Sequence, residues 1–286
     1  MFSRIIAVAN QKGGVGKTTT CVNLAASLAA AHRRVLLVDM DPQGNATMGC
    51  GVDKHALRSS ACNVVLGESG AGNAIVSVER GGFWLLPGND DLTAAEVQLV
   101  NELGREIRLR KALESVRRGY DYLLIDCPPS INMLTINALT AADSVLIPMQ
   151  CEYYALEGLS ALKSTVDKIR ETVNPRLEIE GLLRTMYDPR NNLSNEVSAQ
   201  LLLHFRDKVF RTVIPRNVRL AEAPSFGVPA LLHDRNSRGA LAYLALAGEV
   251  IQRNEAVDAF VNDSHDGRAG QAAGRLPAEA EERVGE

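Results

Sequence analysis

The chain has 286 residues, 46% of them hydrophobic and 23% charged, which is enough apolar material for one sizeable α/β core. A formal net charge of -3 excludes bulk attraction to nucleic acid, so any such contact has to come from a local patch. Five scattered cysteines with no C-x-x-C pair exclude a disulfide framework or a zinc ribbon and suit a reducing cytoplasm.

In chain order, β-branched apolar runs alternate with helical patterns, the signature of a mostly parallel, twisted sheet flanked by helices. The N-terminal run from Arg4 to Ala9 is too short for a signal sequence or a membrane span, so a cytoplasmic protein beginning at Met1 is expected. That run is the first expected strand, followed by a helix from Lys17 to Ala31 and a strand from Val35 to Asp39. The stretch from Gly49 to Gly82 is too mixed to assign. Beyond it come a strand from Phe83 to Leu86, helices over Thr93 to Leu103 and Glu106 to Val116, and a strand from Tyr122 to Asp126. A helix over Met133 to Ala141, a strand over Val145 to Met149 and a helix over Leu156 to Val173 continue the alternation. A strand over Glu178 to Met186, a helix over Ser194 to Phe205, a strand over Val209 to Ile214 and a helix over Gly239 to Val261 complete it. Residues 1–262 are read as one P-loop domain. From Asp263 to Glu286 the only large apolar residues are Leu276 and Val284, so 263–286 is expected to be a disordered, mildly acidic tail.

Between the first strand and helix lies Lys12-Gly13-Gly14-Val15-Gly16-Lys17-Thr18-Thr19. A glycine loop that follows a strand and opens a helix can cradle phosphates on backbone N–H groups. Such a string arises by chance in about one chain of this length in 10⁴. Lys17 is assigned to the β- and γ-phosphates, Thr18 to Mg²⁺ and Thr19 to the α-phosphate. The usual pattern has glycine where Gln11 stands, and Lys12 is an additional cation at the loop's start. Its expected use is to reach a nucleotide held by a second subunit; the alternative is a solvated surface lysine.

The apolar strand Val35-Leu36-Leu37-Val38-Asp39 runs into Met40-Asp41-Pro42-Gln43-Gly44-Asn45, which puts two aspartates at the sheet edge where ligands bind. Asp41 is the candidate for orienting an attacking water, with capping of the turn before Pro42 as the plainer alternative. Asp39 is support near the metal. Tyr122-Leu123-Leu124-Ile125-Asp126-Cys127-Pro128-Pro129 reads as a buried strand whose Asp126 holds Mg²⁺ through water. Cys127 reads as strand-end packing.

Asn10-Gln11-Lys12-Gly13-Gly14-Val15-Gly16-Lys17-Thr18-Thr19-Thr20 resembles the deviant Walker motif of the ParA/Soj chromosome-partitioning ATPases, a family related to MinD and the nitrogenase iron protein. The Asp39 to Asn45 segment and the Asp126 to Pro129 segment resemble that family as well. The resemblance implies an ATP sandwich homodimer in which Lys12 of each chain touches the other's phosphates. It favours a catalytic Asp41 and places Pro215 and Asn217 at the adenine. It also implies a dimer that binds double-stranded DNA without reading sequence and is released by slow hydrolysis, on the nucleoid and with no membrane step. A partner resembling ParB, the centromere-binding protein, would stimulate that hydrolysis.

From Lys208 to Ala221 there are four basic residues and no acidic one, and the segment from Arg105 to Arg118 is basic too. Read on its own, such a patch pairs with surface carboxylates such as Asp207 and Glu222. The resemblance of Ile214 to Ser225 to the family assigns DNA contact to Arg219 first, then Arg190, then Arg216, through sequence-independent phosphate contacts. A membrane-cycling relative would carry an amphipathic C-terminal helix, and a cluster-handling one cysteine ligands; neither pattern is visible. Only three residues precede Arg4, so no operator-reading helix-turn-helix is expected ahead of the first strand.

Overall fold

The computed structural model describes residues 3–271 of the chain. In chain order it contains β1 (Arg4–Val8), α1 (Lys17–Ala30), β2 (Val35–Asp39), α2 (Asn45–Gly49), α3 (Ala61–Leu66), α4 (Ala71–Ala74), β3 (Val76–Val78), β4 (Phe83–Leu86) and α5 (Asp91–Leu99). There follow α6 (Arg108–Glu114), β5 (Tyr122–Asp126), α7 (Met133–Ala141), β6 (Ser144–Gln150), α8 (Ala155–Thr172), β7 (Glu178–Tyr187), α9 (Asn192–Phe205), β8 (Val209–Pro215), α10 (Val218–Glu222), α11 (Ala230–His233) and α12 (Arg238–Gln271). Internal contacts divide the chain into two units, Met1–Glu249 and Val250–Glu286. The last helix carries the chain from the first into the second and runs to Gln271, past residue 263 where the tail was expected to begin; 272–286 lie outside the described residues.

The eight strands form one sheet in the order β3-β4-β2-β5-β1-β6-β7-β8, parallel throughout except for β3 against β4. All seven expected strands are present. The eighth, Val76–Val78, lies in the unassigned stretch, because three residues are too few to show a period of two. Helix α3 lies there too. Its start is marked by Ser60, whose hydroxyl accepts the Cys62 N–H while Asn63 reaches back to the Ser60 N–H, a capping box built with Asn where Glu or Gln is usual. The expected helix from Glu106 begins instead as a 3₁₀ turn over Arg105–Ile107 before α6.

The central strands are buried along their whole length, β2 and β5 without an exposed position. Helices on both faces demand this, and it is why those strands read as continuous apolar runs and show no alternation. Register is informative at the sheet's C-terminal edge. Asp126 on β5 lies opposite Val8 on β1 and opposite Asp39 on β2, so the glycine loop and two carboxylates leave the sheet at one level. That edge of a parallel sheet is where ligands bind. Among the described residues no helix is long and apolar enough to cross a membrane.

The β6–β7 pairing slips by one residue, Val145 facing Ile179 and Leu146 facing Gly181, and the extra residue Glu180 accepts the Ser144 hydroxyl at 2.6 Å. Gly181 then faces β8 closely, since a Cβ there would stand 2.6 Å from Phe210 Cε2 and 3.0 Å from Lys208 O. Phe210 is fully buried and cannot withdraw. Gly181→Ala is expected to cost about 2 kcal/mol by overpacking, read as a lower urea midpoint at unchanged m-value.

Candidate nucleotide site

The loop between β1 and α1 is fixed by side chains distant in sequence. Asn10 donates to Pro148 O at 2.7 Å on β6 and accepts the Lys12 N–H at 3.0 Å. From β7, the Thr185 hydroxyl donates to Val15 O at 2.8 Å. Gly14 and Gly16 hold φ of 70° and 88°, left-handed turns from which anion-cradling nests of N–H groups are made and which side-chain-bearing residues resist.

Within this loop the two lysines diverge. Lys17 is 6% exposed, and its ammonium donates to Lys12 O at 3.2 Å, within the loop. Burial lowers its pKa, opposed by the charges of Asp126 and Asp41. The Lys12 ammonium leaves the loop and pairs with Glu152, just beyond β6, where both side chains are about half exposed. Thr18, at the start of α1, stands close enough to Asp126 for its hydroxyl to lower that carboxyl's pKa, and Thr19 receives Asn23 Nδ2 on its carbonyl at 2.8 Å.

Asp39 and Asp126 are completely buried side by side. Asp39 is held by three donors: the Thr47 hydroxyl at 2.7 Å, the Thr47 N–H at 2.8 Å and the Asp41 N–H at 3.2 Å. Burial nonetheless pushes it up to about 6. Asp126 is raised well above the usual carboxylate range by burial and then by the neighbouring Asp39 charge; the Cys21 thiol donates to its Oδ1 at 3.5 Å, the nearby Thr18 hydroxyl lowers it, and among the described residues its Oδ2 has no hydrogen-bond partner. A buried carboxylate oxygen without a donor beside a hydroxyl is the environment a hard cation relieves. Among the described residues no group of three or more His, Cys, Asp or Glu is placed to hold a metal ion. Thr18 and Asp126 would therefore hold one with non-protein oxygens completing the shell, a habit of Mg²⁺.

Asp41 is 7% exposed at the same edge, and its Oδ1 accepts the Gln43 N–H at 3.0 Å. It thus makes the turn expected of the plainer reading while standing close enough to Lys17 to act on its charge. Pro215 ends β8 and Asn217 follows it; the Asn217 Oδ1 caps α10, accepting the Arg219 and Leu220 N–H groups at 3.0 and 3.3 Å. A base at this position would meet the Asn217 amide NH₂, its oxygen being committed to the helix.

The three arginines divide into a pair and a single. Tyr187 and Pro215 are register partners at the ends of β7 and β8, so the residues just beyond them are neighbours. Asp188 feels both Arg190, which bonds it at 2.8 Å, and the charge of Arg216. Arg219, on α10, pairs with Glu222 at 2.8 Å and Asp234 at 3.4 Å, the former a partner suggested by the sequence. These are exposed pairs, which hold their arginines weakly.

Residues invisible to motif reading supply much of the support. Thr47, Glu152 and Thr185 carry no pattern of their own, and the last two lie 140 and 170 residues from the groups they bind. Thr47 has a double role, since its hydroxyl also accepts the buried Gly88 N–H at 2.9 Å. Thr47→Val keeps the shape but leaves a buried N–H unpaired and Asp39 short of a donor. The expected cost is about 3 kcal/mol, read from urea unfolding.

A family model described as an AAA domain matches residues 3–179. An uncharacterised protein of Pseudomonas putida is 64% identical over 252 residues, 88% of this chain and 96% of its own. The chromosome partitioning protein ParA of Caulobacter vibrioides is 52% identical over 252 residues, covering 87% of this chain and 94% of its own. The sporulation initiation inhibitor protein Soj of Bacillus subtilis is 53% identical over 249 residues, covering 87% and 98%. Among solved structures, the cobyrinic acid a,c-diamide synthase of Mycobacterium smegmatis with bound ADP and magnesium superposes with a TM-score of 0.78 at 38% identity, covering 88% of this chain and 95% of that one. With motifs, strand order and relatives in agreement along most of its length, the chain belongs to the ParA/Soj family of chromosome-partitioning ATPases.

Proposed function

We propose that this chain is an ATP-switched partition ATPase. It binds ATP with Mg²⁺ at the glycine loop, pairs with a second copy across the nucleotides, and in that state binds duplex DNA without sequence preference. Slow hydrolysis, stimulated by a ParB-like centromere-binding partner, releases it from the nucleoid in the cytoplasm. The observation that carries this reading is the divergence of the two loop lysines. Lys17 is buried in the loop it serves, whereas Lys12 is exposed and turned out to Glu152. A cation that does not serve its own loop is available to a second subunit.

The division of labour follows from charge. Asp39, Asp41 and Asp126 are buried at one sheet edge with Asp41 and Asp126 acting on a single buried ammonium, Lys17, so the site is short of positive charge. Bound Mg²⁺ supplies that charge and neutralises phosphate oxygens. Thr18 and Asp126 hold it, Lys17 and the N–H groups of Gly13 to Thr19 bind the phosphates, and Asp41 orients the attacking water. Pro215 and Asn217 flank the base. Arg190, Arg216 and Arg219 contact DNA phosphates; a dimer doubles their number on one duplex, which couples DNA affinity to ATP.

One rival chemistry lacks support. Amide synthesis fed by glutamine, as an amidotransferase would run it, needs an activated thiolate. All five thiols are buried, and burial pushes Cys62 and Cys151 up to about 11.

The deciding experiment is binding to a non-specific duplex with ATP, ADP and no nucleotide at two salt concentrations. Tight, salt-sensitive binding only with ATP is expected, and binding indifferent to nucleotide overturns the switch. Asp41→Ala should abolish turnover while ATP-dependent dimerisation and DNA binding persist; if dimerisation is lost as well, Asp41 is a turn residue and nothing more. Arg219→Glu should leave the dimer intact and weaken duplex binding roughly tenfold at low salt, the scale expected of a lost phosphate contact made repulsive.

A further inference from the structure

At the end of the sheet remote from the glycine loop, where β1 starts at Arg4 and β6 at Ser144, the first unit has a cavity of about 90 Å³. Arg110 and Glu114 of α6, Arg117, Thr140 of α7, Asp143 and Arg176 contribute to its walls. It is far below the ~300 Å³ at which pockets for drug-sized ligands begin. Its occupant is therefore a small group.

The charges in the wall are unevenly satisfied. Asp143 pairs with Arg117, its Oδ2 accepting the Ile5 N–H at 2.8 Å and Arg117 Nη2 at 2.7 Å, so the charges of that pair offset each other. Among the described residues Arg110 makes one hydrogen bond, from Nη1 to Val173 O at 3.3 Å. Arg176 is exposed and makes no hydrogen bond or ion pair among the described residues, and Glu114 at the end of α6 makes none either. Thr140 in the same wall is 1% exposed, yet among the described residues its hydroxyl has no partner. A threonine inside a helix ordinarily donates back to the carbonyl four residues earlier, and this one does not. A buried, unused donor therefore shares a small cavity with two under-used guanidinium groups.

We propose that this cavity is a binding site for a phosphate-class oxyanion, held by Arg110 and Arg176 with the Thr140 hydroxyl donating from within. Guanidinium forks match tetrahedral oxyanions, and the donors come from three separate elements, which suits a tetrahedral group better than a planar carboxylate. The plainer use of the arginines is to pair with Glu114. For Arg110 that is an i,i+4 pair with the base ahead of the acid, the weaker order on a helix, and it is not formed. Glu114 thus acts as a competitor of the anion. The group has two sources, free phosphate or a phosphate of the DNA backbone. The second has a local basic patch to draw it in, since Arg105 to Arg118 holds six basic residues against two acidic ones.

The test is thermal unfolding of the full chain titrated with inorganic phosphate, chloride being exchanged to keep ionic strength constant. It is run in the wild type and in Lys17→Ala, which removes the contribution of the glycine loop. A saturable rise in Tm is expected in both. Arg110→Gln and Arg176→Gln should each weaken the apparent affinity roughly tenfold, the scale of one charge-assisted hydrogen bond, and Glu114→Gln should tighten it. Arg176 is exposed, so its variant folds without repacking. No saturable rise, or one that persists unchanged in both arginine variants, overturns the site and leaves a cavity that holds water. Where the rise is found, duplex binding by Arg176→Gln separates the sources: reduced affinity gives the backbone phosphate, and unchanged affinity gives the free ion.

Discussion

Much of this molecule follows from one constraint, the burial of Asp39 and Asp126 side by side at the ends of adjacent parallel strands. Withdrawal from water raises both carboxyls, and the Asp39 charge raises Asp126 further. The fold keeps Asp39 in place by surrounding it with donors, two from Thr47 and one from the backbone of Asp41. It does not do the same for Asp126, which is left with an oxygen no protein group satisfies. That asymmetry separates a carboxylate that supports from one that is free to take a cation.

Strand order produces this arrangement. β5 lies between β1 and β2, so the strand that ends in Asp126 is flanked by the strand that launches the glycine loop and by the strand that ends in Asp39. β6 and β7, on the other side of β1, supply the groups that pin the loop from behind, Pro148 O and the Thr185 hydroxyl. The same β6 leads to Glu152, which holds Lys12 away from its own phosphate site. Loop rigidity and the outward position of Lys12 therefore come from the same half of the sheet. The outer strands β7 and β8 then bring Arg190 and Arg216 to one carboxylate at the same edge.

The core was legible in the sequence where one physical signal dominated. Strands buried on both faces must be apolar throughout, so β2, β5 and β6 stood out as runs. The glycine loop stood out because left-handed backbone at Gly14 and Gly16 restricts the residue type. The short antiparallel strand Val76–Val78 and the helix after Ser60 did not stand out. Three residues carry no period, and the Ser60 cap uses Asn63 where the usual pattern has an acid or glutamine.

By itself the sequence determined the fold class, the glycine loop with its two lysines, and the carboxylates Asp39, Asp41 and Asp126, because local backbone geometry and burial restrict residue type at those positions. Tertiary structure alone decided which partner each of them has. That Lys12 meets Glu152, Asp39 meets Thr47 and Val15 meets Thr185 depends on contacts between segments whose spacing in the chain leaves no periodic trace. The same holds for the cavity between α6, α7 and the start of the sheet, where Arg110 and Arg176 become neighbours of a buried Thr140 only once the strands have set their order.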